Sequence, residues 1–393
     1  MTHRRLPAYG AGLLFSILFG TSAPVLAVKV SDHLDLGGAV RVRVDEDASR
    51  GIHKWGLDTI MLSARYDSDS WIGAARYRFY GKDYPFQYVR RFGEISFAEY
   101  AWIGYRFDSS RQLQLGLNQV PFGLQPYYSG TFYETLGNVI GLEDVWELGA
   151  KYIQDVGDWN LQAGYYARTA WPGQGTSNGS TYSIVVTPAD ASVAGGSRND
   201  ERGLFVARAV RKLELGNWDG EAGVSAMSSA LYNRDTRRYG RRYAYAVHYA
   251  GSNGPWGVKL QYARQQMAPR NAGDSRSVSF GGYDGTFNVA SRGNFYTGDL
   301  SYSIPGKFVG GWITGVKVYG NYSLYDKSQK DFRNSQRFIL GTSFSLKALW
   351  IAVEWLNGRN DPYLGGSNYA QSAAAGGSNV WRGQFYMNIG YYF

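Results

Sequence analysis

The sequence predicts an all-β chain closed into a transmembrane antiparallel barrel, and three features predict it. Apolar and polar residues alternate with a period of two from Val28 onward, in runs of about ten residues. The connections between those runs alternate short and long, as in outer-membrane barrels. No later stretch approaches the roughly 18 to 20 consecutive apolar residues of a spanning helix.

The N-terminus reads as an export leader over residues 1–27: basic His3, Arg4 and Arg5, an apolar core from Ala11 to Phe19, and a small-residue cleavage site at Val25-Leu26-Ala27. Residues 28–393 then form one barrel domain, with no linker between. Twelve Trp, 32 Tyr and 19 Phe accompany 51 Gly, yet the mean hydropathy is only −0.35. Strands that are apolar outside and polar inside, ringed by aromatic girdles, give this combination. Cysteine is absent, which excludes a disulfide framework, a thiolate nucleophile and cysteine metal sites. Without Arg4 and Arg5, 39 basic residues face 32 acidic ones, a net +7, and arginine far outnumbers lysine. The planar guanidinium grips oxyanions in bidentate fashion. This balance argues for an anion-attracting lumen; a basic chain can also mean nucleic acid, but export as an aromatic-rich barrel argues against that partner.

The strand count reaches sixteen, with fourteen and eighteen as alternatives, because one misread hairpin changes the total by two. Clear runs include Val40–Val44, Leu113–Leu117, Trp159–Tyr165, Tyr243–Tyr249, Trp256–Tyr262, Val316–Leu324 and Trp381–Phe393. Seven short turns alternate with eight long loops at 45–55, 81–94, 119–144, 169–202, 229–241, 266–291, 325–335 and 358–380, so both ends fall on the periplasmic side. The last strand ends on Phe393 with apolar residues at alternate positions. It resembles the recognition strand read by the barrel assembly machinery, and it implies a Gram-negative outer membrane, with outer-membrane lipid around the barrel.

Alternation assigns sides. A basic side chain aimed at mid-bilayer lipid costs roughly 2 to 4 kcal/mol, so Arg76 and Arg78, on the polar face of Trp71–Tyr80, are expected to face the lumen. The same reasoning makes Arg41, Arg43, Arg106, Lys151, Arg168, Arg242, Lys259, Lys317, Arg337 and Arg382 pore-lining, with Glu147, Glu221, Asp299 and Glu354 as acidic company. The excess of basic residues would concentrate small anions; alternatively the arginines pair with carboxylates and brace the wall. The third loop, with Gln119, Tyr127, Tyr128, Glu134, Glu143 and Asp144, is the expected constriction, folded into the lumen where its rings pack on the wall. Its carboxylates would either face the arginines across the eyelet or fix the loop.

Other chemistry finds little support. Among His33, His53 and His248, only His248 lies on an inward face, and no Gly-x-Ser-x-Gly elbow occurs, so no catalytic site is expected. No paired-histidine spacing suggests a metal site or cofactor, and loop carboxylates such as Asp190, Asp200 and Glu201 read as solvated. The leading expectation is a pore for passive diffusion of small anionic or neutral solutes. The alternative is a structural or adhesive barrel that works through its long outer loops. A third, a barrel sheathing a redox partner, would call for more strands.

A family resemblance enters at Gly116-Leu117-Asn118-Gln119-Val120-Pro121-Phe122-Gly123-Leu124. This stretch resembles the phosphate-selective porin O/P family, whose strand runs Gly, polar, apolar, Lys, any residue, Pro, Phe, then Gly or Ser. The preceding Tyr100–Phe107 is similar to that family's upstream strand. The resemblance implies a sixteen-stranded homotrimeric porin with an infolded third loop and an anion preference. Gln119 stands where the family has Lys, which favours general small-anion or mixed diffusion over a strict phosphate path.

Overall fold

The computed structural model describes residues 27–81, 89–178, 180–191, 193, 195–364 and 368–393. The leader read over 1–27 lies, but for Ala27, outside them, as does the centre of the loop at 81–94.

Among the described residues, sixteen antiparallel strands close into a barrel: β1 Leu34–Asp47, β2 Ile52–Asp67, β3 Trp71–Tyr80, β4 Ile95–Arg106, β5 Arg111–Gln119, β6 Trp146–Val156, β7 Trp159–Arg168 and β8 Asn199–Leu215, followed by β9 Trp218–Asn233, β10 Tyr239–Asn253, β11 Trp256–Ala268, β12 Arg292–Ser303, β13 Ile313–Lys327, β14 Ser335–Leu346, β15 Leu349–Arg359 and β16 Arg382–Tyr392. Each strand pairs with its neighbours in sequence. β1 closes the ring on β16, from Ala39 opposite Tyr392 to Glu46 opposite Phe385. Phe393 completes the seam by exchanging backbone hydrogen bonds with Gly38, at 2.6 and 3.0 Å. Closure leaves no unpaired edge, which a lipid environment requires.

The seven periplasmic turns are short and the eight outer connections mostly long. The first and the fifth are exceptions, the fifth joining β9 to β10 through residues 234–238 alone instead of the long loop expected over 229–241. β1 and β2 run on until only residues 48–51 join them, a single turn capped by the Asp47 carboxylate, which accepts from the Ser49 and Arg50 backbone N–H groups. Outward aromatic residues ring the wall near both ends, including Trp71, Phe107, Trp159, Trp256 and Trp312 on the periplasmic side and Trp55, Phe205, Tyr239 and Trp355 on the other. Neighbouring strands pair these rings edge to face, Trp71 with Tyr105 at 5.1 Å and Trp256 with Tyr302 at 4.7 Å.

The interior departs from the simple polar-in pattern. Residues 120–145 turn inward as the third loop, carrying one helical turn, α1 (Leu136–Val139), capped by Thr135. Two outer loops also meet inside: Val185–Val186 pairs with Ser277–Gly282, which forms a hairpin with Gly285–Ala290. Phe122, Leu124, Leu136 and Ile140 of the third loop share one buried cluster with Val185, Phe280, Phe287 and Val289. The inward faces of β8 to β13 answer with Val206, Met227, Leu231, Ala246, Met267 and Phe295. On that half of the barrel the inner face mixes these apolar residues with polar ones such as Ser225, Gln261 and Ser323, because it packs against protein and not water.

Candidate functional site: a charged eyelet between one wall and the third loop

The third loop leaves β5 and arcs along the wall of β8 to β15, where its backbone is bonded strand by strand. Gly123 donates to the Ser225 hydroxyl at 2.9 Å and Leu124 to Gln261 at 2.7 Å. Arg208 donates to the Gly123 carbonyl at 2.8 Å, Arg242 to that of Gly141 at 2.7 Å, and Lys259 to those of Tyr127 and Ser129. Further on, Gly130 donates to Asp299, Phe132 and Tyr133 to Glu354 at 2.6 and 2.9 Å, and Leu136 to Ser323. Arg337 bonds the Glu134 carbonyl at 2.6 Å while pairing with Asp361 at 2.7 Å. A loop buried inside a barrel has no intraloop ladder for its N–H and C=O groups, so the wall must supply partners. Gly123 has φ +65° there, and a Cβ would sit 2.4 Å from the Gln261 amide oxygen.

The opposite wall, β1 to β4, carries a row of four arginines. Arg41 meets Asp58 at 3.0 Å; Arg43 meets Asp45 at 2.7 Å and Asp58 at 3.5 Å. Arg78 is bidentate on Glu99, and Arg76 lies 3.5 Å from the same carboxylate. Asp58 and Glu99 occupy the extra position of a β-bulge. The pairing slips between Arg41 and Val42 in one case and between Arg76 and Tyr77 in the other, so each carboxylate turns inward beside the ordinary inward residue. Aromatic rings stand against the same guanidiniums: Phe132 by Arg41, Tyr386 by Arg43, Tyr100 by Arg76 and Tyr182 by Arg78, the last at 4.4 Å.

Between this row and the loop lie Glu134 and Asp144. The Tyr182 hydroxyl donates to both, at 3.2 and 2.5 Å, and the Trp146 indole donates to Asp144 at 2.8 Å. Burial pushes the Glu134 carboxyl well above the ordinary carboxylate range, and Asp144 and Glu143 push it the same way. Burial, then Glu99, raises Asp144. Above them Tyr283 stacks on Tyr80 at 5.0 Å and approaches Phe97 at 5.0 Å. Nearer the outside, a cavity of about 440 Å³ is lined by Asn178, Asp190, Asp284 and Tyr369.

Several residues expected to line the pore hold other posts. Arg242, Arg337 and Lys151 are buried, and Lys259 is half-buried; each donates to a third-loop or Gln119 carbonyl, so they clamp the loop because its carbonyls need donors. Arg106 sits at a periplasmic turn, bonded to the Ser68 carbonyl and Asp67. Arg168 and Arg382 stand at the outer ends of their strands. Lys317 lies near Asp299. In the loop, Gln119 donates to the Pro126 carbonyl, and Tyr128 is buried with its hydroxyl on the Leu142 carbonyl. Glu143 accepts from the Tyr128 and Thr135 backbone and so fixes the loop instead of facing the arginines. Glu147 is buried, and among the described residues neither of its oxygens meets a hydrogen-bond partner. Glu201, read as a solvated loop carboxylate, is buried against Arg242 at 2.7 Å.

A closed sixteen-stranded barrel, apolar outside and narrowed by its own third loop, is the architecture of Gram-negative outer-membrane porins and channels. No protein-family model matches the sequence, and no curated protein sequence matches it. Solved structures match in fold. The outer-membrane channel DcaP of Acinetobacter baumannii aligns over 93% of this chain and 99% of its own, with a TM-score of 0.58 and 11% identity. The anion-selective porin from Comamonas acidovorans aligns over 92% and 99%, with a TM-score of 0.55 and 13% identity. OmpT, an outer-membrane protein of Vibrio cholerae in a trimer form, gives 92%, 99%, 0.53 and 12%.

Proposed function

We propose that this protein is an outer-membrane porin, a passive channel for small solutes with a preference for anions. In this reading residues 1–27 are the export leader, residues 28–393 the barrel, and the working assembly a homotrimer. The passage runs between the arginine row of β1 to β4 and the third loop. One observation carries the reading: Arg76 and Arg43 of that row keep contact with water, although Arg78 beside them is buried, while Arg242 and Arg337 of the loop-bearing wall are sealed. The Arg76 side chain is 31% exposed and that of Arg43 16%, against 2% for Arg242 and 1% for Arg337. Along the row, Arg41, Arg43, Arg76 and Arg78 face Asp45, Asp58 and Glu99, one positive charge in excess. Burial disfavours the charged forms of Glu134 and Asp144, which weakens their opposition to that excess. The neighbour described as an anion-selective porin and the resemblance around Pro121-Phe122 point the same way.

The apolar core beneath the outer loops favours a second reading, a barrel closed by its own loops that acts through its outer surface. Planar-bilayer conductance of the refolded chain under a KCl gradient separates the two. The channel reading expects stepwise conductance with a reversal potential of anionic sign, moved toward zero by Arg43→Ala with Arg76→Ala. A cationic sign would mean that the loop carboxylates govern the eyelet, and absence of conductance would favour the closed barrel.

A further inference from the structure

The Arg-rich hairpin Tyr232-Asn233-Arg234-Asp235-Thr236-Arg237-Arg238-Tyr239-Gly240-Arg241-Arg242 is not explained by the pore. Of these arginines only Arg242 points inward to clamp the third loop. Cross-strand register shows where others go, since residues directly opposite share a face. Arg202 of β8 lies opposite Ala230 of β9, Ala230 opposite Arg241 of β10, and Arg241 opposite Ala268 of β11. One level deeper Tyr243, Gln266 and Arg292 of β12 are aligned, and the next level holds Tyr245, Arg264, Asn294 and Asp326. Below that the outward residues become Val224, Val247, Tyr262, Tyr296 and Leu324. The arginines therefore cap an otherwise apolar lipid-facing wall at its outer end.

Four arginines pointing outward there need counter-anions, and the chain supplies few. Arg202 lies 3.8 Å from Asp200, which is taken more closely by Arg234 at 2.7 Å. Asp326 is occupied by Asn294 and Asn334. Among the described residues, Arg241, Arg264 and Arg292 meet no carboxylate; Arg264 donates only to Asn294, at 3.2 Å. Arg237 and Arg238 extend the basic surface onto the exposed tip of the hairpin. A guanidinium at the membrane interface is cheap only where an anion meets it, and Arg is the side chain that grips a phosphate with two parallel N–H bonds. Tyr243, Tyr245, Tyr262 and Tyr296 surround the patch with the amphipathic rings suited to a headgroup layer.

We infer that the outward face of β8 to β12 at the outer rim binds the phosphates of a glycolipid in the surrounding outer leaflet. This rests on the outer-membrane placement proposed above. The test is titration of detergent-solubilised, refolded barrel with bisphosphorylated lipid A and with its fully dephosphorylated form, read by native mass spectrometry. The wild-type barrel should retain the bisphosphorylated form and not the other. Replacing Arg241, Arg264 and Arg292 together by Gln should weaken retention about 100-fold, at roughly fivefold per arginine–phosphate contact. Heat-modifiable migration and KCl conductance should remain those of the wild type. Arg241→Gln alone, at an exposed position, gives about a fivefold loss and keeps the test open if the triple variant misfolds. Equal retention of both lipid forms, or wild-type retention by the triple variant, overturns the inference. So does a change in oligomeric state without a change in lipid retention, which would make the patch a contact between copies. A barrel that fails to conduct but still loses lipid with the arginines would overturn the porin reading and leave this one standing.

Discussion

Arg78 and Glu99 form a two-pronged ion pair, Nε at 2.5 Å and Nη2 at 2.7 Å, made possible by one extra residue in β4. Glu99 is buried and is shared with Arg76, 3.5 Å away. The variant Glu99→Gln keeps the shape and removes the charge, leaving two guanidiniums against no carboxylate. Its reversal potential under a KCl gradient should move further to the anionic side, and thermal unfolding should come earlier, since breaking a buried pair from one side costs about 3–5 kcal/mol. A shift toward cations would contradict the placement of this pair at the eyelet.

Glu354 is the tether for the tip of the third loop. It accepts from the backbone of Phe132 and Tyr133 and from the Tyr319 hydroxyl at 2.8 Å. Hydrogen bonds to a charged acceptor contribute roughly 1.5–3 kcal/mol each, so Glu354→Ala should release the tip while the barrel stays closed. Single-channel recordings should show larger and noisier openings than wild type. Unchanged conductance would mean that the tip does not border the passage.

How much of this was legible in the sequence depends on which residues one asks about. Period-two alternation and the rhythm of short and long connections define the sixteen strands, and Phe122 and Pro121 mark where the third loop begins. Alternation fails at Asp58 and Glu99, because a bulge reverses facing within a strand and nothing in the local composition announces it. It also fails to separate Arg76 from Arg242. Both point inward, yet Arg242 is sealed beneath a loop whose contacting residue, Gly141, lies 101 positions earlier. Val206, Met227 and Phe295 are inward and apolar for the same reason, and only a fold that places Phe280 and Phe287 inside the lumen explains them.

Arg337 joins three parts of the molecule: β14, Asp361 beyond β15, and the third-loop carbonyls of Glu134 and Thr135. Both members of the pair are almost wholly buried. Arg337→Ala should strand the Asp361 carboxylate and lower stability by about 3–5 kcal/mol. The double replacement Arg337→Met with Asp361→Leu should recover much of that loss, because no charge is then left buried. The midpoint of heat-modifiable migration on gels measures both. Equal destabilisation by the single and double variants would show that packing around the guanidinium, and not its charge, matters at this site.

Glu134 links the eyelet to pH. Burial raises its carboxyl well above the usual range, with Asp144 and Glu143 adding to the shift, and Asp144 is raised as well. An acid held neutral by the fold contributes stability that is present at low pH and lost as pH rises through its raised folded-state value. Selectivity follows the same sign. While Glu134 and Asp144 carry protons, the arginine row has little opposition; as pH climbs through their raised values, negative charge appears opposite Arg78 and the anion preference falls. Reversal potentials measured from acid to alkaline pH should therefore decline toward zero in the wild type. Glu134→Gln with Asp144→Asn should hold the anionic value flat across that range. A preference that grows with pH, or a double variant that titrates like the wild type, would place the controlling charge elsewhere than beside Tyr182.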